Sequence, residues 1–148
     1  MRVERLSPVD YEAVADVWEA SVRETHTFLP ESDIQFFRPL ILEKYLDAVD
    51  LRGVRDDKGD IAGFVGVSAG QVEMLFVLPK WMRCGIGTKL LSYAVTEMGA
   101  RTVDVNEQNP GAVSFYKRFG FDVVGRSPVD GLGKPYPLLH MELRSEKP

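Results

Sequence analysis

The sequence predicts a mixed α/β fold, a sheet of about seven strands flanked by about four helices, and three observations carry that reading. Apolar or alternating runs of strand length take turns with longer stretches whose apolar residues recur at helical spacing. Glycines and prolines punctuate the boundaries between them. In the first half, two strand runs are separated only by the turn chemistry of Asp56-Asp57-Lys58-Gly59-Asp60, whereas later strands are separated by helices. The sheet should therefore be antiparallel early and parallel where helices intervene.

Residues 2–6 read as the first strand, and Ser7-Pro8 supplies a helix cap followed by proline at the first helical position. That helix should run to about Val22, with Val14, Val17, Trp18, Ser21 and Val22 on one face. After a linker at 28–31, a second helix spans roughly 33–47, placing Ile34, Phe37, Ile41, Tyr45 and Leu46 together; Pro39 should kink or split it. Strands are predicted at 51–55, 61–68 and 72–78, then a helix at 85–98 and a strand at 102–106. A helix at 110–119 and strands at 121–125 and 138–143 complete the order, leaving 145–148 as a loose tail. The whole chain reads as one domain, residues 1–148.

The most informative segment joins the strand Leu75-Phe76-Val77 to the helix that follows Gly85-Ile86-Gly87. Glycines at a strand-to-helix turn let backbone N–H groups crowd a ligand, and the helix N-terminus behind them favours phosphate. Residues 79–91 contain Lys80, Arg83 and Lys89 and no acid, in a chain of net charge −4, which points to an anionic ligand at this turn. The spacing is not that of a P-loop. A dinucleotide-binding turn would need a third glycine where Leu90 stands and a tighter connection than 79–84, although Asp104 lies near the place of a ribose-binding acid.

Met82-Arg83-Cys84-Gly85-Ile86-Gly87 instead resembles the Gln/Arg-x-x-Gly-x-Gly/Ala motif of the GNAT superfamily of acyl-CoA-dependent N-acetyltransferases, with Met82 as its one departure. Asn109-Pro110-Gly111-Ala112-Val113-Ser114-Phe115-Tyr116, continuing through Phe119-Gly120-Phe121, is similar to that superfamily's second motif, Asn-x-x-Ala-x-x-x-Tyr-x-x-x-Gly-Phe. Independently of the resemblance, Asn109 caps a helix that opens with proline, Ala112, Phe115, Tyr116 and Phe119 form its apolar face, and Gly120 ends it. The runs 18–29 and 125–139 also look like small bacterial members of the superfamily.

The resemblance implies acetyl-CoA as cosubstrate, direct transfer of its acetyl group to a primary amine of a small molecule, protein or peptide, and no metal. It implies that Arg83, Cys84, Gly85, Ile86, Gly87 and Thr88 meet the CoA pyrophosphate through backbone groups. Leu75, Phe76 and Val77 would meet pantetheine and the thioester carbonyl, with the Phe76 or Val77 N–H as donor to the oxyanion, and Asn109 and Tyr116 would complete the cofactor site. Acyl transfer also needs an acid for the leaving thiolate and a path for the amine proton. Tyr116 suits the acid, since a phenol near pKa 10 stays protonated at neutral pH. Glu73, on the same strand as the carbonyl donor, and His26, on a connection that borders the acceptor site in this fold, are the alternative bases. Lys134 and Tyr136 shape either an acceptor loop or a simple hairpin. Cys84 is not expected to be a nucleophile, because the transfer is direct. The alternative function is an acyl-CoA-binding or sensing module that keeps the fold and lacks the acceptor.

Composition narrows the rest. Acids outnumber bases by 22 to 18, which argues against a broad nucleic-acid surface. The absence of a long apolar run or apolar leader argues for a cytoplasmic protein with no membrane partner. A lone cysteine fits a reducing compartment, and His26 and His140 lie too far apart in sequence to give a metal-ligand spacing. A monomer or homodimer is expected.

Overall fold

The structure is a computed structural model that describes residues 1–144; the predicted tail at 145–148 lies outside the described residues. The chain divides into two compact units, Met1–Ala100 and Arg101–Pro148. Among the described residues there are seven strands and four α-helices.

The first unit contains β1 (Val3–Arg5), α1 (Tyr11–Thr25), α2 (Glu31–Leu40), β2 (Asp50–Arg55), β3 (Ile61–Ser68), β4 (Gln71–Val77) and α3 (Ile86–Met98). Its four strands pair antiparallel in chain order. Ser7 heads a 3₁₀ turn, Pro8–Asp10, rather than α1 itself, its N–H donating to Asp10 Oδ2 at 3.0 Å; the N-cap of α1 is Asp10. α1 runs to Thr25, past the predicted Val22, because Arg23 pairs with Glu19 one turn back and the Thr25 hydroxyl donates to the Ser21 carbonyl. The second α-helix does not run on to residue 47: it ends at Leu40, one residue past Pro39. The chain passes instead into a π turn, Ile41–Tyr45, where Leu46 N–H reaches back five residues to the Ile41 carbonyl. The first turn of the hairpin between β2 and β3 is organised by Asp56, whose carboxylate accepts from the N–H groups of Lys58 and Asp60.

β3 is buried on both faces. One face, with Phe64, packs on Val14, Trp18 and Val22 of α1 and Ile34 of α2. The other face carries Gly63, where a β-carbon would come within 3.2 Å of Ile86 and Leu90 side chains. The missing side chain lets α3 settle directly on the sheet, which fixes the N-terminus of that helix.

The second unit contains β5 (Thr102–Asn106), α4 (Pro110–Phe119), β6 (Phe121–Ser127) and β7 (Leu138–Leu143). β7 pairs antiparallel with both β5 and β6, so it lies between them. β5 and β6 therefore run parallel, as their connecting helix predicts, without being neighbours. Asn109 caps α4 by accepting from Ala112 N–H at 3.2 Å. Val103, Val105, Met141 and Phe121 are buried, while Asp104, His140 and Ser127 belong to the opposite face by the alternation of the strands.

Candidate active site

In the first unit the predicted cofactor residues form a continuous backbone path. Leu75, Phe76 and Val77 are half-buried at the end of β4, opposite Val65, Phe64 and Gly63 of β3. Pro79–Trp81 then forms a 3₁₀ turn, and Met82 is extended. Arg83 has φ 64° and Gly85 φ 84°, two left-handed residues one apart. Left-handed residues on either side of Cys84 are the kind of backbone from which anion nests are made. The first intrahelical bond of α3 runs from Lys89 N–H to the Gly85 carbonyl at 3.0 Å. The N–H groups of Ile86, Gly87 and Thr88 precede that bond and carry the positive end of the helix dipole. The strained φ of Arg83, costing on the order of 1 kcal/mol, is retained where the turn must present its backbone.

The flanking charges are not all engaged in the same way. Lys89 donates to the Met1 carbonyl, and Cys84 is exposed, its thiol directed at the Met82 carbonyl. Trp81 contributes a feature that sequence reading missed: its Nε1 is closed off from solvent and has no hydrogen-bond partner among the described residues. An orphaned donor in the turn that leads into the nest fits a segment built to receive a phosphate-bearing ligand.

The two predicted bases differ in setting. Glu73 is exposed on β4. His26 is the residue that ends α1, half-buried, with its ring 5.4 Å from Phe28 and 6.4 Å from Phe76 between centroids. Thr25 has a single hydroxyl proton and gives it to the Ser21 carbonyl, so its 2.8 Å contact with His26 Nδ1 is received from an Nδ1–H. Nε2 then carries the lone pair. Burial lowers the imidazole to about 4, so the ring is neutral at pH 7.

In the second unit Tyr116 is 7% exposed, and its ring stands edge-on to Phe115 and Phe121. Burial pushes its phenol well above the usual range, keeping the proton on oxygen. Asn109 has the capping contact described above. The 128–137 loop is wound around Asp130, whose carboxylate accepts from Leu132 and Lys134 N–H at 2.9 Å each. Val129 and Leu132 are exposed on it.

Sequence reading also missed a chain of side chains in this unit. Asp104 Oδ1 lies 2.6 Å from His140 Nδ1, and His140 Nε2 lies 2.6 Å from Ser127 Oγ. The three residues are far apart in sequence and meet only through the strand register.

A glycine-rich turn at the head of α3 and a buried tyrosine on the second motif helix are each what the sequence led one to expect of an acyl-CoA-dependent transferase, and the comparisons name the class. Residues 40–144 match the acetyltransferase (GNAT) domain family, so the chain belongs to that family and is an N-acetyltransferase using acetyl-CoA. It is 38% identical over 130 residues to the peptidyl-lysine N-acetyltransferase YjaB of Salmonella typhimurium strain LT2, covering 88% of this chain and 89% of that protein. YiaC of Escherichia coli K12, also a peptidyl-lysine N-acetyltransferase, is 30% identical over 113 residues, covering 76% and 77%. The solution structure of apo-form YjaB from Escherichia coli superposes with a TM-score of 0.86 at 36% identity, covering 95% of each chain. The crystal structure of the PaiA N-acetyltransferase of Thermoplasma acidophilum, in complex with coenzyme A, shares the fold with a TM-score of 0.75 at 23% identity, covering 97% of this chain and 98% of that one.

Proposed function

We propose that this protein transfers an acetyl group from acetyl-CoA to the side-chain amine of lysine in peptides or proteins, in the cytoplasm, as a monomer or homodimer. The observation that carries the reading is the likeness, over most of the chain, to relatives named for peptidyl-lysine acetylation. The exposed Val129 and Leu132, on a loop that Asp130 keeps in shape, give a peptide an apolar foothold that a small polar amine would not need. No helix among the described residues is long and apolar enough to cross a membrane.

Acetyl-CoA supplies an acyl carbon already activated as a thioester. This chain's residues bind, orient and move protons. Backbone N–H groups of residues 83–88 would hold the pyrophosphate, Leu75, Phe76 and Val77 the pantetheine arm, and the Phe76 or Val77 N–H the carbonyl oxygen. Asn109 serves as helix cap and as a polar contact for the arm. Tyr116, held protonated by its burial, would hand its phenolic proton to the departing thiolate. Glu73 and His26 are each able to receive the amine proton, His26 through the Nε2 lone pair.

The test is to incubate the protein with acetyl-CoA and a panel of lysine peptides, following free thiol and locating the acetyl group by mass spectrometry. Thiol release matched by acetyl-lysine supports the reading. Acetylation of free amines with no reaction of any peptide overturns the lysine-peptide assignment.

A further inference from the structure

We propose that Ser127, His140 and Asp104 form a nucleophilic site of their own, at which Ser127 takes the acyl group of a small uncharged ester and passes it to water. This esterase activity is separate from the acetyl-transfer machinery. A carboxylate can only accept, so the 2.6 Å contact of Asp104 with Nδ1 is an N–H of His140 donated to Oδ1. Nε2 is thereby left with its lone pair, and the Ser127 hydroxyl donates to it at 2.6 Å. A hydroxyl bonded to an imidazole that a carboxylate orients is the constellation that turns serine from a weak nucleophile into an acyl acceptor, on whatever fold it occurs.

The strands are built to make these contacts. Asp104 and His140 are directly opposite partners in the β5–β7 ladder. In the β6–β7 ladder the register shifts between Val123 and Gly125, which sets Gly125 opposite His140 and brings Ser127 to the same face. Without that bulge Arg126 would stand opposite Leu138 in place of Ser127. A β-carbon at Gly125 would lie 3.4 Å from the ring carbon Cδ2, so the imidazole passes over that glycine as it reaches Ser127. The side chains of His140 and Asp104 are 37% and 35% exposed. Ser127 is half-buried, on a strand whose one strand neighbour among the described residues is β7. The hydroxyl is therefore within reach of a small molecule from solvent.

The surroundings choose the substrate class. Leu138, directly opposite Ser127 and half-buried, gives a short acyl group an apolar neighbour. Glu142 and Asp122 share the face with Asp104 and His140, Asp122 holding Arg144 at 2.8 Å. A face so rich in carboxylate repels anionic acyl donors and favours uncharged esters. Tyr116 packs against Phe121, which belongs to the opposite face of these strands. Ser127 is therefore outside the transfer chemistry.

In the first step Ser127 Oγ forms a bond to the ester carbonyl carbon as its proton passes to His140 Nε2. The bond from that carbon to the alcohol oxygen breaks, its electron pair leaving with oxygen, and the alcohol departs with the proton from Nε2. The imidazolium formed in between is balanced by the Asp104 carboxylate at Nδ1. Water then attacks the acyl carbon, gives a proton to Nε2, and the bond to Oγ breaks as Oγ takes that proton back. The products are a carboxylic acid and an alcohol, and the protein is unchanged.

The experiment treats the protein, without acetyl-CoA, with a fluorophosphonate probe and separately with p-nitrophenyl acetate. The probe should phosphonylate Ser127 with loss of fluoride, the site being located by mass spectrometry. His140→Ala should slow labelling about 100-fold and Asp104→Asn about tenfold, while Ser127→Ala abolishes it and lowers ester hydrolysis about tenfold. Ser127→Ala and Asp104→Asn keep the imidazole, and melting temperatures close to wild type show that lost reactivity is not misfolding. No labelling of Ser127, labelling that His140→Ala and Asp104→Asn leave at the wild-type rate, or ester hydrolysis unchanged in Ser127→Ala overturns the site. Ser127→Ala should acetylate lysine peptides as the wild type does, and a loss there in the folded variant overturns the separation of the two activities. Labelling needs no acetyl-CoA, so the acetyl-transfer reading and the esterase fail by different measurements.

Discussion

Tyr116 stands edge-on to Phe121, their ring centroids 5.6 Å apart and their planes at 77°. The contact joins the second motif helix to the strand that follows it, and it makes Tyr116 a core residue whatever its hydroxyl does. The ring fills the apolar space under α4, as helical spacing predicts.

Replacing Tyr116 by phenylalanine keeps that packing and removes the proton. The variant should fold with a melting temperature close to wild type, bind acetyl-CoA with unchanged affinity and turn over about 100-fold more slowly, roughly 2.7 kcal/mol of barrier. Steady-state kinetics with calorimetry of acetyl-CoA binding reads the split. Wild-type turnover would make Tyr116 a packing residue alone.

Gly85 gives a different kind of test. A β-carbon there meets nothing within 4 Å, so space is not the constraint; φ 84° is. Gly85→Val forces a β-branched residue into the left-handed region at a cost of about 1–3 kcal/mol, and it sets a side chain beside the nest. CoA affinity should fall more than tenfold, and the melting temperature of the free protein by several degrees. Calorimetry showing wild-type CoA affinity in a folded Gly85→Val protein would remove the nest from the cofactor site.

What could be read from the sequence was local. β3, β5, α4 and β7 lie where periodicity and punctuation placed them, because glycine, proline and capping residues at their ends act over a few residues. The π turn after Pro39 was not legible, since proline forbids one hydrogen bond without saying what replaces it. Nor was the insertion of β7 between β5 and β6, a pairing decided over long sequence distance. The Asp104–His140–Ser127 chain depends on that insertion and on a one-residue bulge, so no spacing in the sequence announces it. His140 read alone was only a histidine without a metal partner. Asp104 read alone resembled a ribose-binding acid.

His26 offers a test through stability. In the folded protein, burial among Phe28 and Phe76 holds its imidazole at about 4, against an ordinary value near 6.5 in the unfolded chain. Above pH 6.5 neither state binds the proton and the native state keeps its full stability. Between 6.5 and about 4 the unfolded chain takes up a proton that the folded one refuses, so stability falls by up to about 1.4 kcal/mol for each pH unit. Below about 4 both states are protonated and the loss levels off. His26→Asn retains a nitrogen donor for the Thr25 hydroxyl and removes the titration, while the carboxylates titrate alike in both proteins. Urea unfolding of the two from pH 7.5 to 4 should therefore give stability curves that are parallel above pH 6.5 and diverge below it, the wild type declining faster. Curves that stay parallel throughout would mean that His26 is solvated enough to titrate normally, and that it is a stronger base than its aromatic surroundings imply.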